Sequence, residues 1–239
     1  MKTPPLLLIT LLNVASLFAD DGKPIFADDF ENRTELGAAY TVKSDWAESF
    51  KVTNGKLVIS QVNPNHGAVL RKDIPFKDLD LEFDLRFNGG TSFNLVINDQ
   101  NEKSVWSGHV SRVVFTPKKL SIKDDKKGSM NLEVRKQRLD KNLSAEKKKA
   151  LEDLLAETET NAKVDLKPNE WHHVRVRIIG DRMDAWIAGN KVAELTSPGI
   201  AHPTKTSFGF TVTGTSIDFD NIKMVEAIAG TSEPVRLHK

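Results

Sequence analysis

The sequence predicts an all-β fold, a two-sheet antiparallel β-sandwich with one inserted surface α-helix, on three observations. Residues 79–88, Leu-Asp-Leu-Glu-Phe-Asp-Leu-Arg-Phe-Asn, alternate apolar and polar side chains without a break. That period of two belongs to a strand with one face in a core. Residues 168–190 hold two successive hairpins. Val174, Val176 and Ile178 alternate with His173, Arg175 and Arg177, Gly180-Asp181 reverses the chain, and Gly189-Asn190 reverses it again. Finally, about a dozen short strand-like runs are punctuated by turn residues every eight to twelve positions, the spacing of a sandwich.

In chain order, residues 1–19 read as a signal peptide. Lys2 precedes the apolar run Leu6–Leu12, which continues to Ala19 and ends at Asp20-Asp21. The run is short for a bilayer span, so no transmembrane segment is expected and cleavage is placed after Ala19. This predicts a secreted or periplasmic location. The absence of cysteine rules out disulfides, thiolate chemistry and a lipid-attached cysteine, and suits a bacterial source.

A single sandwich domain is expected over residues 25–228, with residues 229–239 a flexible tail. Ile25–Glu31 opens it, and Asn54-Gly55 joins two strands, the strongest short hairpin signal. Gly89-Gly90 turns the chain after the 79–88 strand. Residues 107–165 break the rhythm and read as an insertion, with a helix over about 145–158 capped by Ser144 and striped by Ala150, Leu151, Leu154 and Leu155. Ser207–Val212 and Ser216–Val225 complete the sandwich. The echo between Asp28-Asp29-Phe30 and Phe219-Asp220-Asn221 predicts that the terminal strands lie close together.

Charge excludes some partners. Lys plus Arg total 34 against 33 Asp plus Glu, so no polyanion is implied globally, and no nucleic acid is expected. Locally, residues 117–149 hold twelve basic residues against five acidic, a surface that could dock a protein partner or an acidic polysaccharide. No phosphate loop, nucleotide fingerprint or serine elbow occurs.

Glu82 and Asp84, about 7 Å apart on one strand face, are the candidate acid/base pair, as two carboxylates at such spacing can serve a glycosidase. The same pattern also describes any solvated sheet face. Arg71, Arg86, Trp106, His109 and Arg112 are the candidate substrate-binding residues, since an aromatic ring, an imidazole and guanidinium groups suit stacking and hydrogen bonding to a sugar. A capped strand start explains His109 and Arg112 equally well. Trp171 and Trp186 are expected in the core. The histidines lack metal spacing, and adjacent His172 and His173 point to opposite faces. Asp28, Asp29, Asp218 and Asp220 offer oxygen ligands for calcium where the termini meet, but are also ordinary strand alternates; no metal or cofactor is assigned.

The chain resembles the concanavalin A-like lectin/glucanase jelly rolls. More narrowly, it resembles the bacterial exported 3-keto-disaccharide hydrolases, whose fold is similar to family-16 glycoside hydrolases. The matching pieces are Phe26–Glu31, Asn54–Leu57, Phe76–Phe87, Asn169–Val174, Ala185–Gly189 and Ile217–Ile222. Two pieces depart from the pattern: Asp80-x-Glu82-x-Asp84 stands in place of the glucanase Glu-x-Asp-x-Glu, and Thr91-Ser92-Phe93-Asn94 in place of Asn-Ser-Gly. The resemblance implies a carbohydrate partner and hydrolysis or elimination of 3-keto-glycosides. The competing expectations are a non-catalytic carbohydrate-binding or cell-surface module, and a scaffold whose inserted helix docks a partner.

Overall fold

The computed structural model describes residues 22–229. The expected signal peptide, and the expected tail from residue 230 onward, lie outside the described residues. Fourteen strands are described: β1 Pro24–Asp28, β2 Phe50–Thr53, β3 Lys56–Ile59, β4 Ala68–Phe76, β5 Leu79–Phe87, β6 Gly90–Asn98, β7 His109–Thr116, β8 Lys119–Asp124, β9 Glu159–Lys163, β10 His172–Ile179, β11 Arg182–Ile187, β12 Asn190–Thr196, β13 Lys205–Gly214 and β14 Ile217–Val225. An eight-stranded sheet runs β12-β11-β10-β5-β14-β3-β2, with β1 also paired to β14. A six-stranded sheet runs β4-β13-β6-β7-β8-β9. The strand pairings are antiparallel throughout both sheets, so the predicted sandwich is the observed architecture.

The alternation of residues 79–88 dictates the layering. Leu79, Leu81, Phe83, Leu85 and Phe87 are buried between the sheets, and Asp80, Glu82, Asp84 and Arg86 stand on the outer face of the eight-stranded sheet. Phe83 packs against Phe93, Phe115, Phe210 and Phe219 with centroids 5.6 to 6.3 Å apart, locking the two sheets at their centre. Asn54 and Gly55 take φ of 53° and 67°, the left-handed pair that a two-residue hairpin requires. β1 pairs with β14, which brings the terminal strands together as the echoing motifs predict.

The segment that leaves the sandwich is shorter than residues 107–165. β7, β8 and β9 are full members of the six-stranded sheet, and only the stretch between Asp124 and Glu159 departs from it. It carries two helices rather than one. α2, Ala145–Glu157, begins at Ser144, whose hydroxyl accepts from Lys147 N as the sequence predicts. α1, Leu132–Leu139, is capped by Asn131, whose side chain accepts from Glu133 N and Val134 N. Its weak apolar stripe, with Val134 alone buried, hides it from a periodicity reading. Much of the local basic excess is neutralised: Lys118 pairs with Asp165, Lys123 with Glu159, Lys126 with Glu102 and Lys149 with Asp153.

Of the two tryptophans expected in the core, Trp186 is buried and Trp171 is not. Trp171 is 42% exposed, and the Arg86 guanidinium rests 4.7 Å from its ring centre. Trp186 is buried, but on the outer face, where it pairs in register with Arg175 and Lys191 and is covered by both cations. Long cationic stems shield apolar rings as effectively as a core does.

Candidate functional site

The seven candidate residues divide between opposite outer faces. Glu82, Asp84 and Arg86 belong to the eight-stranded sheet, and Arg71, His109 and Arg112 to the six-stranded sheet, with Trp106 in the loop that enters β7. Packed sheets lie about 10 Å apart before side-chain length is added, so one sugar ring cannot touch both sets. The expectation of a single site built from all seven is not met.

On the eight-stranded face, an open cleft of about 470 Å³ is lined by Asp28, Asp29, Glu82, Asp84, His173 and Lys223, among others. His173 Nδ1 donates to Asp84 Oδ1 at 2.9 Å, and its Nε2 lies 3.8 Å from Glu82 Oε2. Asn221, held at φ 50° in the irregular pairing of β14 with β5, donates to the other Asp84 oxygen at 2.9 Å. Burial raises the Glu82 pKa against the pull of His173 and Arg175. Burial also acts to raise Asp84, but hydrogen bonds from His173 and Asn221 outweigh it and hold that carboxyl below its ordinary range. The His173 imidazole is raised in turn, chiefly by its bond to Asp84. Arg86 takes no part: it donates to buried Asp218 at 2.6 Å and lies over Trp171.

The candidate calcium ligands are spent elsewhere or dispersed. Asp28 accepts from Tyr40 and Arg33, and Asp218 from Lys56 and Arg86. Among the described residues, no three His, Asp or Glu side chains are grouped as a metal ion would need.

On the six-stranded face, strand register sets the geometry. Arg71, Gly209, Val96 and Arg112 form one row across β4, β13, β6 and β7. Three strand spacings put the two arginines about 14 Å apart at the backbone, with a glycine and a valine between them as floor. Two residues further along β6, His109 stands beside Asn98, and its Nδ1 donates to Asn98 Oδ1 at 2.7 Å. A carboxamide oxygen only accepts, so Nδ1 carries the proton and Nε2 keeps its lone pair. Burial first, then the charges of Arg112 and Arg135, push the His109 pKa down to about 4. The imidazole is therefore neutral at physiological pH.

The surrounding groups are anchored. Arg71 pairs with Asp73 at 2.8 Å, and Asp73 also accepts from Thr41 and Gln100. Arg112 reaches Asp125 at 3.2 Å and Ser129 Oγ at 2.9 Å. Burial pushes the Asp125 carboxyl up to about 6 despite Arg112. Trp106, 53% exposed, sits in the loop between Asp99 and Gly108, whose ends are tied by Asp99 N donating to Gly108 O. Gly108, at φ 73°, lies where a Cβ would come within 2.5 Å of that Asp99 carbonyl, so only glycine closes the loop. A buried chain braces it: Lys126 donates to Glu102 at 2.8 Å and to His202 Nδ1 at 2.7 Å, and His202 Nε2 donates to Asp99 at 2.9 Å. Trp106 N donates to Met130 O, and the Arg135 guanidinium of α1 lies 4.6 Å from the indole centre.

Comparison with known proteins places this geometry. A family model described as the 3-keto-alpha-glucoside-1,2-lyase-like domain matches residues 15–225. The chain belongs to this family. No curated protein matches it. Among solved structures, the laminarinase of Rhodothermus marinus is similar at TM-score 0.57 and 13% identity, covering 87% of this chain and 98% of that one. The carbohydrate binding module CBM66 from Bacillus subtilis matches at TM-score 0.52 and 10% identity, over 81% of this chain and 98% of that one. A sialidase matches at TM-score 0.58 and 16% identity over 87% of this chain, which spans only 19% of the sialidase. Likeness at such identity establishes the concanavalin A-like jelly roll, and enzymes share it with a binding module. The family is carbohydrate-active, and among the described residues no helix is long and apolar enough to cross a membrane.

Sequence reasoning missed Asn98, Arg135, Asp125 and the role of His173. Asn131, two residues before Glu133, is a helix-start signal that would have exposed α1 and with it Arg135.

Proposed function

We propose that the mature chain is an exported lyase that cleaves 3-keto-glycosides by 1,2-elimination, with its reacting residues on the six-stranded face around His109. The observation that carries this reading is an unprotonated imidazole, its Nδ1–H fixed by Asn98, set beside the cations of Arg112 and Arg135. A ketone at C3 acidifies the hydrogen on C2. His109 Nε2 takes that proton, and negative charge gathers on O3 beside the arginines, which stabilise it as fixed electrostatic donors do. The C1–O bond then breaks, C1 and C2 become doubly bonded, and the imidazolium returns its proton to the departing oxygen. Products are an unsaturated keto-sugar and a free alcohol, with neither water nor an oxidant consumed.

A second reading rests on the cleft over Glu82, Asp84 and His173, where one carboxyl is raised and its neighbour held low, the division of labour of an acid and a base. Its acidic lining favours the positive charge of a hydrolytic transition state over an enolate. One experiment separates the two. The mature chain, recovered from the periplasm of a bacterial host with its N-terminus at Asp20, is assayed on a 3-keto-α-glucoside. His109→Gln is expected to lower turnover about a hundredfold or more, the usual contribution of a general base, with Glu82→Gln and Asp84→Asn near wild type. The reverse ranking moves the chemistry to the acidic cleft. Binding without turnover by the unmutated chain selects the carbohydrate-binding module instead.

A further inference from the structure

The inserted helix α1 delivers a cation to the six-stranded face that the sandwich itself does not supply. Arg135 lies against the half-exposed indole of Trp106, and its charge is one of the causes that hold His109 neutral. The other two arginines of this face are already paired, Arg71 with Asp73 and Arg112 with Asp125. Among the described residues, no carboxylate comes within ion-pair distance of Arg135, and its side-chain hydrogen bond goes to Met130 Sδ at 3.7 Å, a weak acceptor. The guanidinium therefore rests its face on the Trp106 ring while its fork of donors meets only one weak acceptor. The placement is firm: Asn131 caps α1, Val105 bridges Asn131, Trp106 N donates to Met130 O, and Leu132 N donates to Ser104 O. Helix start and tryptophan loop are thus one unit.

We propose that Arg135 is the specificity-determining residue of this face, selecting a sugar that carries a carbonyl oxygen over its fully hydroxylated parent. This rests on the reading of the His109 site given above. An indole face stacks on any pyranose, so Trp106 supplies affinity without discrimination. A guanidinium donates to a carbonyl oxygen more strongly as negative charge grows on it, and it cannot accept from a hydroxyl. The keto form is therefore favoured at binding and more so in the elimination.

The test uses the His109→Gln chain, which holds the ligand without turning it over, and measures binding of a 3-keto-α-glucoside and of the parent α-glucoside by calorimetry. About a tenfold or greater preference for the keto form is expected, in line with a charge-assisted hydrogen bond. Adding Arg135→Met should abolish the preference, and Arg135→Lys, which keeps the charge but loses the fork, should retain part of it. Trp106→Ala should weaken both ligands alike. With His109 intact, Arg135→Met should lower kcat/KM for the keto-glucoside with the thermal midpoint unchanged. An undiminished preference in Arg135→Met overturns the inference while leaving the His109 reading intact. Full turnover by His109→Gln removes that reading itself, whatever Arg135 does.

Discussion

At the residue scale, His109 and Asp125, both under the charge of Arg112, impose opposite pH dependences on the six-stranded face. His109 titrates at about 4 in the fold against an ordinary 6.5. The unfolded chain binds its proton first, so the stability that His109 contributes is complete above 6.5 and is lost as pH falls toward 4. Asp125 is raised from 3.8 to about 6, so its contribution is complete below 3.8 and is lost as pH rises through 6. Urea unfolding at stepped pH should resolve the pair. In His109→Gln, the fall in stability between pH 6.5 and 4 should shrink by an amount on the order of 2–3 kcal/mol. An acid limb identical to wild type would mean that the imidazole titrates alike in the folded and unfolded chain. Arg86 teaches a different lesson at this scale. Its charge marked it as a sugar ligand, yet Asp218 and Trp171 engage it completely, a fate that only the cross-strand register of β5 with β14 reveals.

At the scale of elements, α1 holds the site together with few contacts. Its cap, Asn131, satisfies two of the backbone donors that a helix start leaves unpaired. Replacing Asn131 with Ala should cost about 1 kcal/mol and release amide exchange across residues 132–139 ahead of the strands. Keto-sugar affinity should fall with it, because Arg135 then loses its station over Trp106. Exchange unchanged over α1 would show that Val134 packing alone holds the helix. The strands were far more legible than this helix. The uninterrupted alternation of residues 79–87 and the Asn54-Gly55 turn each carry their geometry in adjacent residues. α1 has one buried side chain in eight, so its existence depends on a cap and on Trp106, which no local pattern displays. The site was half legible for the same reason. Trp106, His109 and Arg112 are close in sequence and lie at the same end of the six-stranded face, but Arg71 shares that face only through β13 and β6, and Glu82 and Asp84 face the other way. Sequence spacing fixes which face of its own strand a residue takes, and topology decides which faces share a molecule's side.

At the scale of the whole molecule, the sandwich carries the stability and the insertion carries specificity, and the two should be separable. The aromatic centre around Phe83 joins β5, β6, β7, β13 and β14, none of which needs α1 or α2 to pair. Within the two helices only Val134 and Leu151 are buried. The ends of the excursion already meet: Asp124 N donates to Thr158 O, Lys123 pairs in register with Glu159, and a Cβ on Gly128 would touch Thr158. Replacing residues 129–156 with a short Gly-Ser turn therefore closes a gap that the fold has already closed, and lengthening or shortening such a loop changes its closure entropy little. The variant should unfold cooperatively with a loss of about 3–6 kcal/mol, set by two buried apolar side chains. Phe83→Ala alone should cost about 3–5 kcal/mol because it empties the centre of both sheets. With Arg135 gone, the shortened chain should bind a keto-glucoside and its parent with similar affinity. Aggregation or loss of a cooperative transition would show instead that the helices are structural members of the sandwich, and that the six-stranded sheet depends on them to stay folded.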